Sequence, residues 1–146
     1  FKMNITIYTD GACSCNPGIG GWGAVILKNN ENPVYLNGGQ LHATNNQMEL
    51  IAAIKALKYI NNSSNVKICT DSKYVKGGIE SWIINWKENG WKTSAKKPVK
   101  NKNLWMELDK QIHRHIINWQ WVKGHDGYQH NEKADYLARK FIKEHS

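Results

Sequence analysis

Two short runs of strand-forming residues each end in Thr-Asp, which places a carboxylate where strands seldom carry one. The first run is Ile5 to Gly11, with Asp10 near its end, and the second is Val66 to Ser72, with Asp71. Their β-branched and aromatic residues predict strands, where an Asp is disfavoured and costly to bury without a compensating positive group. The alternative for Asp10 is an ordinary turn-forming Asp-Gly pair. If the two strands lie side by side, the two carboxylates come together.

Two further acids stand at the borders of apolar helical stripes. Thr44 and Gln47 fit a capping box, so a helix begins there, and Glu49 falls beside its apolar stripe. In the C-terminal helix the apolar residues follow the i, i+3, i+4, i+7 spacing, and Asp135 projects at the edge of that stripe. Either acid alone could be a simple interface charge. Four such acids in a basic chain indicate a common chemical requirement.

Length and cysteine content place the chain in a broad class. One domain over residues 1–146 is expected, large enough to bury a hydrophobic core without disulfides or a structural metal. Cys13, Cys15 and Cys69 are an odd number with no signal sequence ahead of them, which predicts reduced thiols in a cytoplasmic protein. No second Cys/His pair has the spacing of a zinc site. No apolar run approaches the ~20 residues of a membrane-spanning helix, so no membrane partner is expected.

The formal net charge of +8 favours a polyanionic partner. Its distribution is more informative, because six lysines share one segment with only Glu88 as an opposing charge: Lys87, Lys92, Lys96, Lys97, Lys100 and Lys102. Residues 90–100 are too polar and broken to form a core element, so they should protrude. We therefore predict a basic handle over about residues 82–102, for which the alternative is a solvated loop.

The order of the predicted elements indicates an α/β fold. Strands over 4–13, 22–28 and 34–41 have short connections and should form an antiparallel meander. A helix from 45 to about 60 leads to a strand over 66–70, and a right-handed crossover lets that strand pair parallel to the first. This pairing would set Asp71 beside Asp10. The remaining predicted elements are helices over 72–78, 79–89 and 104–112, a fifth strand over 116–122 and a last helix over 131–143.

Together these stretches resemble a type 1 ribonuclease H of the bacterial kind, from about residue 4 to residue 143. The resemblance is carried by Thr9-Asp10-Gly11-Ala12-Cys13 with Asn16-Pro17-Gly18, by 44–50, by Thr70-Asp71-Ser72, by 82–99, and by Lys123-Gly124-His125 through Asp135. It implies the family's ribonuclease H-like fold, a five-stranded mixed sheet flanked by helices. The implied strand order is 3-2-1-4-5, with strands 1 to 3 antiparallel and strands 4 and 5 parallel to strand 1.

The resemblance implies a metal-dependent endonuclease, which explains why the acids should converge. Phosphodiester hydrolysis needs an activated water and stabilised charge at the phosphate, and two divalent cations can supply both. Mg²⁺ prefers oxygen ligands. The implied ligands of two Mg²⁺ ions, with Mn²⁺ as a substitute, are Asp10, Glu49, Asp71 and Asp135, with Asp10 bridging.

Histidines are the next candidates for proton chemistry. By resemblance His125, between glycines of a loop, assists proton transfer or product departure, although spacing alone would also suit a surface histidine. Asp126 departs from the small neutral residue expected in that loop. His113 and His115 are expected to be surface residues.

The resemblance also implies contacts to an RNA/DNA hybrid, which a protein distinguishes by its 2′-hydroxyls and by the sugar pucker of its DNA strand. The residues implied to contact the RNA strand are Asn16, Asn46 and Glu49 with the backbone around Cys13, and the implied substrate residues beside them are Asn45 and Lys73. Thr44 and Asn101 match a pocket for a DNA phosphate, with His42 where an arginine is usual. The implied DNA channel holds Trp82, Trp86 and Ser94, and handle lysines such as Lys96 and Lys97 would contact phosphates. Core packing is the alternative for the tryptophans, and we prefer it for Trp105, Trp119 and Trp121.

The expected function is hydrolysis of the RNA strand of RNA/DNA hybrids by a monomer, with little sequence preference and with 3′-hydroxyl and 5′-phosphate ends. Two alternatives remain open. One is a nuclease or integrase of the same fold that acts on DNA, against which the Lys-rich segment and the Asn-Asn-Gln-Met-Glu helix start speak. The other is an inactive homologue that only binds nucleic acid, against which the four acids and His125 speak.

Overall fold

A five-stranded mixed sheet carries helices on both of its faces. The computed structural model describes residues 3–123 and 129–146. Its strands are β1 (Asn4–Cys13), β2 (Gly18–Lys28), β3 (Val34–Ala43), β4 (Asn65–Thr70) and β5 (Ile116–Trp121). Its helices are α1 (Asn45–Tyr59), α2 (Lys73–Gly77), α3 (Ile83–Glu88), α4 (Lys102–Ile112) and α5 (Gln129–Glu144). One π-helical turn, Gly78–Trp82, joins α2 to α3.

The strand order is β3-β2-β1-β4-β5, as predicted. β1 pairs antiparallel with β2, β2 pairs antiparallel with β3, and β4 and β5 run parallel to β1. Ile7 of β1 is registered with Ile26 on one side and with Ile68 on the other. Because β1 and β4 run in the same direction, the residues at their carboxyl ends meet at one edge of the sheet.

Alternation along the strands divides the core between two layers. Ile7 of β1 and Ile26 of β2 pack in the larger cluster with α1 and α4, in which Trp105 is fully buried. Val25 of β2 packs on the opposite face against Ala134 and Leu137 of α5. Successive strand residues therefore face α1 and α5 in turn. Within the described residues, no helix is both long and apolar enough to cross a membrane.

The second strand begins at Gly18, earlier than the predicted residue 22. The glycine-rich segment pairs with both neighbouring strands, since Gly20 and Gly21 are registered with Cys13 and Ala12 of β1. A Cβ on Gly21 would lie 2.0 Å from the carbonyl oxygen of Ala138 in α5. These glycines are strand residues that admit a close backbone approach, rather than part of a connection that precedes the strand.

Two local predictions are corrected. The two helices predicted over 72–89 are joined by the π-helical turn into one helical stretch. His115, predicted at the surface, is buried, with its Nδ1 accepting a hydrogen bond from the Ser64 backbone N–H at 3.1 Å. Trp105 lies in the core as predicted, and Trp119 and Trp121 are half-buried, pack against the core as predicted, and stack on each other with ring centroids 5.2 Å apart.

Candidate active site

The parallel strands β1 and β4 bring Asp10 and Asp71 together. Their pairing runs up to Tyr8 and Cys69, and each acid follows two residues later after a buried threonine, Thr9 or Thr70. Carboxylate oxygens of Asp10, Glu49 and Asp71 all lie within 4.8 Å of one another. We call Asp10, Glu49, Asp71 and the adjacent Asp135 the acid cluster.

Glu49 reaches this cluster because α1 begins directly against β1. The Thr44 hydroxyl accepts a hydrogen bond from the Gln47 N–H at 3.2 Å, and the Gln47 side chain accepts one from the Thr44 N–H at 3.1 Å. This capping box fixes the first turn of the helix. A Cβ on Gly11 would lie 2.5 Å from the backbone nitrogen of Glu49. Only glycine at position 11 lets the first turn of α1 approach the strand this closely.

Asp135 reaches the cluster because α5 lies directly on the backbone of β2. Gly23 is the registered partner of Asp10, and a Cβ on Gly23 would lie 2.2 Å from the carbonyl oxygen of Ala134. Asp135 lies outside the group of three close carboxylates but lines both cavities that Asp10 and Asp71 line. Arg139, one turn further along α5, donates its Nε–H to both Asp135 oxygens at 3.0 and 3.1 Å.

The cluster crowds negative charge in a partly buried place. Burial, a hydrogen bond with Asp135 and the charges of Asp71 and Asp135 raise the pKa of Asp10 to about 8. Burial and the charges of Asp10 and Asp71 raise the pKa of Glu49 well above its ordinary value. Without a positive partner, these carboxyls therefore do not all ionise at neutral pH.

The donor set fits a hard divalent cation. Glu49 Oε1 is buried and has no hydrogen-bond partner among the residues that the structure describes, and such an oxygen is stabilised by a ligand. All the converging donors are carboxylate oxygens, which suit Mg²⁺, Mn²⁺ or Ca²⁺ better than zinc or copper. The nearby Cys13 thiol instead donates to backbone carbonyls, including that of Ala43 at 3.1 Å.

Comparison with known proteins identifies the family. The sequence profile of the family "RNase H" matches residues 2–143. A ribonuclease H of Francisella philomiragia is 54% identical over 143 residues, covering 98% of this chain and 93% of its own. The chain belongs to the ribonuclease H family. A Rhodopseudomonas palustris ribonuclease H is 56% identical over 141 residues, covering 97% of this chain and 93% of its own. The predicted family and enzyme class, an endonuclease of the ribonuclease H type, are therefore confirmed.

Solved structures agree with the predicted ribonuclease H fold. LC9-RNase H1, described as a type 1 RNase H with the type 2 active-site motif, has a TM-score of 0.88 at 26% identity, covering 100% of this chain and 75% of its own. LC11-RNase H1, solved with an RNA/DNA hybrid, has a TM-score of 0.67 at 22% identity, covering 97% and 98% of the two chains. The latter similarity concerns the fold alone.

Several residues predicted to bind substrate surround the ribonuclease H acid cluster. Cys13 and Asn45 line the cavity that holds Glu49. Asn16 accepts a hydrogen bond from the Asn45 N–H at 3.3 Å, and Asn46 is exposed beside it. Lys73 is exposed in a cleft that also contains Asp71.

The residues predicted on the DNA side lie on neighbouring elements. Asn101 connects α1 to α2, since it accepts from Gln47 Nε2 at 3.4 Å and donates to the Tyr74 hydroxyl at 3.1 Å. Trp82 is 40% exposed and packs against the half-buried Trp86.

The remaining predicted substrate residues lie apart from the acids, and the predicted catalytic His125 lies outside the described part of the chain. Ser94 and Lys96 line a separate cleft of the handle segment, and Lys97 is exposed next to them. His42 is exposed on β3. His125 and Asp126 lie outside the described residues, so the role of His125 stays a prediction.

Two residues at the ribonuclease H site escaped the sequence reasoning. Arg139 holds Asp135, and Asn131 lines the cavity of Asp10 with its Nδ2 buried and without a hydrogen-bond partner in the described parts of the chain. Both stand four residues from Asp135 on α5. That i, i+4 spacing was the available signal, because it places all three side chains on one helix face.

Proposed function

We propose that this ribonuclease H cleaves the RNA strand of RNA/DNA hybrids with two divalent cations, Mg²⁺ by preference, held by the four acids of the cluster. The observation that carries the proposal is the convergence of Asp10, Glu49 and Asp71 within 4.8 Å, with one buried Glu49 oxygen lacking a partner among the described residues. Such a site is costly unless positive charge enters it.

The arrangement favours Asp10 as the shared ligand. One cavity is lined by Asp10, Asp71, Asp135 and Asn131, and a second by Asp10, Asp71, Asp135 and Glu49. Asp71 and Asp135 line both cavities as well, but Asp10 lies within 4.8 Å of Glu49 and Asp71 and also shares a hydrogen bond with Asp135, so it adjoins all three other acids. Bound cations would activate a water and stabilise the charge that builds on the phosphate and the leaving oxygen.

The reaction follows from the products that we propose. A water oxygen bonds to phosphorus, the bond from phosphorus to the 3′-oxygen breaks, and that oxygen takes a proton. The cleaved RNA then carries a 3′-hydroxyl on one fragment and a 5′-phosphate on the other. We assign His125 to this proton transfer or to product departure on the sequence resemblance alone.

Recognition of the hybrid is proposed to use both sides of the acid cluster. Cys13, Asn16, Asn45, Asn46 and Lys73 surround the acids and would face the RNA strand. The proposed DNA-strand contacts are Thr44, Asn101, Trp82, Trp86, Ser94, Lys96 and Lys97. Contacts to sugars and phosphates carry no base information, which supports cleavage with little sequence preference.

We further propose that one domain over residues 1–146 acts as a monomer in the cytoplasm. The three cysteines are unpaired in the structure, in keeping with a reducing compartment. Light scattering of the purified protein at micromolar concentration tests the monomer.

The decisive experiment compares strand-labelled substrates. An RNA/DNA hybrid, duplex RNA and duplex DNA are incubated with the unmodified protein and with Asp10→Asn, in Mg²⁺, in Mn²⁺ and in chelator. We expect cleavage of the RNA strand of the hybrid alone, and loss of cleavage with the substitution or with chelator.

Two other outcomes would reject the proposal. A hybrid that binds and stays intact in both Mg²⁺ and Mn²⁺ would show that the acids are not assembled for catalysis. Cleavage of duplex DNA at a comparable rate would move the chain to the DNA-acting nucleases of this fold.

A further inference from the structure

A second cleft opens beside Asp71, on a part of the surface that the proposed function does not use in full. Its walls come from α2, from the end of β5 and from the segment that follows β5, and they include Lys73, Lys76, Trp121 and Lys123. We call it the lysine cleft. It shares Asp71 with the acid cluster, so a polymer held at the scissile position would continue into this space.

The charge of the lysine cleft is unbalanced. Lys73 and Lys76 stand on α2 and Lys123 follows β5, and all three are exposed. Among the described residues, none of them lies within 4.0 Å of a carboxylate oxygen, whereas Lys58 and Lys87 elsewhere on the surface do. The acid in the lining is Asp71, which the proposed function assigns to cations. Three exposed lysines thus line the cleft outside any ion pair among the described residues, and Lys123 also lines the cavity of the acid cluster.

An aromatic side chain lines the same space. Trp121 is half-buried and stacks almost parallel on Trp119, with 7° between the ring planes. This stacking holds the indole in place, so that it offers a fixed apolar surface to the cleft. Lysines combined with an aromatic surface are the usual means of binding a single nucleic-acid strand. The volume of about 350 Å³ falls in the range of roughly 300–1,000 Å³ of ligand pockets.

We propose that the lysine cleft is a subsite for the RNA strand beyond the scissile phosphate, in which Lys76 and Lys123 bind backbone phosphate and Trp121 packs against a nucleoside. The assignment rests on the proposed function, since that function places the RNA strand at the acids. The sequence already predicts Lys73 as a substrate contact. Lys76, Lys123 and Trp121 are new contacts, and they extend the footprint of the RNA strand to one side of the cut.

The test measures binding, which does not require cleavage. Fluorescence anisotropy in chelator gives the Kd of a full-length hybrid, of two hybrids whose RNA is shortened from the 5′ or the 3′ side, and of a duplex DNA. The variants are Lys76→Ala with Lys123→Ala, and Trp121→Leu, which keeps apolar bulk. Lys110→Ala is the control, because Lys110 is likewise an exposed lysine in the last turn of a helix.

For the double lysine variant we expect a roughly tenfold weaker Kd for the full-length hybrid, as for removal of charge-assisted hydrogen bonds. The slope of log Kd against log salt should fall by about 0.7–0.9 for each phosphate that is no longer bound. The double variant and the unmodified protein should have the same Kd for the hybrid whose shortened RNA no longer reaches the cleft. For the hybrid shortened from the opposite side, the double variant should still bind more weakly. Trp121→Leu should weaken the same substrates with little change in the salt slope, and Lys110→Ala should change neither quantity.

Three results would overturn the subsite. The first is an unchanged Kd of the hybrid for both cleft variants, and the second is an equal weakening of binding to both shortened hybrids. The third is an equal weakening of binding to duplex DNA, because that result would indicate a general attraction of the lysines for phosphate. Failure of the proposed function is a separate observation. In that case the unmodified protein leaves the hybrid intact in Mg²⁺, while the Kd pattern still decides the role of the cleft.

Discussion

At the scale of single residues, the acid cluster places several carboxyl groups close together, and in the metal-free protein protonation reduces the repulsion between them. Asp10 has a pKa of about 8 and Glu49 a pKa well above its ordinary value, because both are buried beside other carboxyls. A carboxyl whose pKa is higher in the folded than in the unfolded chain stabilises the fold fully only below its unfolded pKa. That contribution is lost as the pH rises through the folded pKa. The free energy of unfolding of the metal-free protein should therefore fall as the pH rises from about 4 to about 8.

Asp10→Asn should therefore stabilise the metal-free protein in a pH-dependent way. The amide resembles the protonated acid, so the two proteins should have similar free energies of unfolding near pH 4. By pH 9 the variant should be more stable by on the order of a few kcal/mol. Urea unfolding in chelator across this range measures the difference, with Glu31→Gln as a control at an exposed acid. A difference that stays constant with pH would contradict the raised pKa of Asp10.

Sequence reasoning found the four acids because a carboxylate is unusual at each position. Two of them, Asp10 and Asp71, stand at strand ends, and the other two, Glu49 and Asp135, stand at the borders of apolar helical stripes. Their mutual placement also followed from topology, since parallel β1 and β4 put Asp10 and Asp71 at one edge. Arg139 and Asn131 are not unusual in this way, because charged and amide residues are ordinary on an amphipathic helix. Their partners are visible only once α5 is docked. The buried His115 escaped for the same reason, since Ser64, its hydrogen-bond partner, lies 51 residues away in sequence.

At the scale of elements, glycines decide how closely the helices approach the sheet. Gly11 admits the start of α1 and Gly23 admits α5, so each glycine brings one acid towards Asp10. A sequence shows these glycines but not which backbone lies against them. For this reason the glycine-rich start of β2 reads as a connection in the sequence, although it is a strand in the fold.

Gly23→Ala should damage both stability and the metal site. The added Cβ would lie 2.2 Å from the Ala134 carbonyl oxygen, so α5 must move away from β2. We expect a loss of about 1–3 kcal/mol, as for overpacked cores. Displaced Asp135 should also weaken Mg²⁺ affinity, which the rise in melting temperature with added Mg²⁺ would report.

Gly90→Ala is the matched control for that substitution. A Cβ on Gly90 meets no described atom within 4 Å, although its φ of +65° makes alanine unfavourable by about 1–2 kcal/mol. Both substitutions should therefore lower stability, but only Gly23→Ala should weaken Mg²⁺ binding. Equal Mg²⁺ responses would show that the contact between α5 and β2 does not position Asp135.

The far end of α1 depends on one side chain. Arg114 donates from Nη1 to the Leu57 carbonyl at 3.3 Å, and from Nη2 to the carbonyls of Ile60 at 2.7 Å and Asn61 at 3.1 Å. The Leu57 carbonyl also accepts from the Ile60 N–H at 3.2 Å, whereas among the described residues Arg114 is the donor found for the Ile60 and Asn61 carbonyls. A cation at this end of the helix also interacts favourably with the helix dipole.

Arg114→Met should lower the free energy of unfolding by about 1–3 kcal/mol, because it leaves the partly buried Ile60 carbonyl and the exposed Asn61 carbonyl without the guanidinium donor. Arg114→Lys keeps the charge without the planar fork of donors and should recover only part of the loss. Urea unfolding measures both variants. The KM for the hybrid should be unchanged, because Glu49 and the capping box lie at the opposite end of α1. A loss below about 0.5 kcal/mol would show that water replaces the guanidinium.

At the scale of the whole molecule, the net charge of +8 favours a polyanionic partner but does not indicate where on the surface it binds. The handle segment carries lysines on a loop that its own backbone closes. Lys92 and Pro98 form an isolated antiparallel β-bridge, and the Thr93 N–H donates to the Lys97 carbonyl at 2.7 Å. Val99, which follows the loop, is buried. Lys96 and Lys97 are thus exposed on a loop that its own backbone hydrogen bonds close. Predicting this closed loop from sequence was beyond reach, because its short-range hydrogen bonds follow no hydrophobic period.

Replacing Lys96 and Lys97 together by alanine should weaken hybrid binding equally for all sequences. The slope of log Kd against log salt should fall by about 0.7–0.9 for each phosphate that the two lysines no longer bind, with kcat unchanged because this loop lines a cleft apart from the acids. The control replaces the exposed Lys55 of α1 and Lys110 of α4 by alanine. Both double variants remove the same two charges, so net charge alone would weaken binding equally in the two. Anisotropy at several salt concentrations measures the Kd of the hybrid for both double variants. A larger increase in Kd for the handle variant can arise only from the position of its lysines. Equal increases would show that the handle has no role of its own.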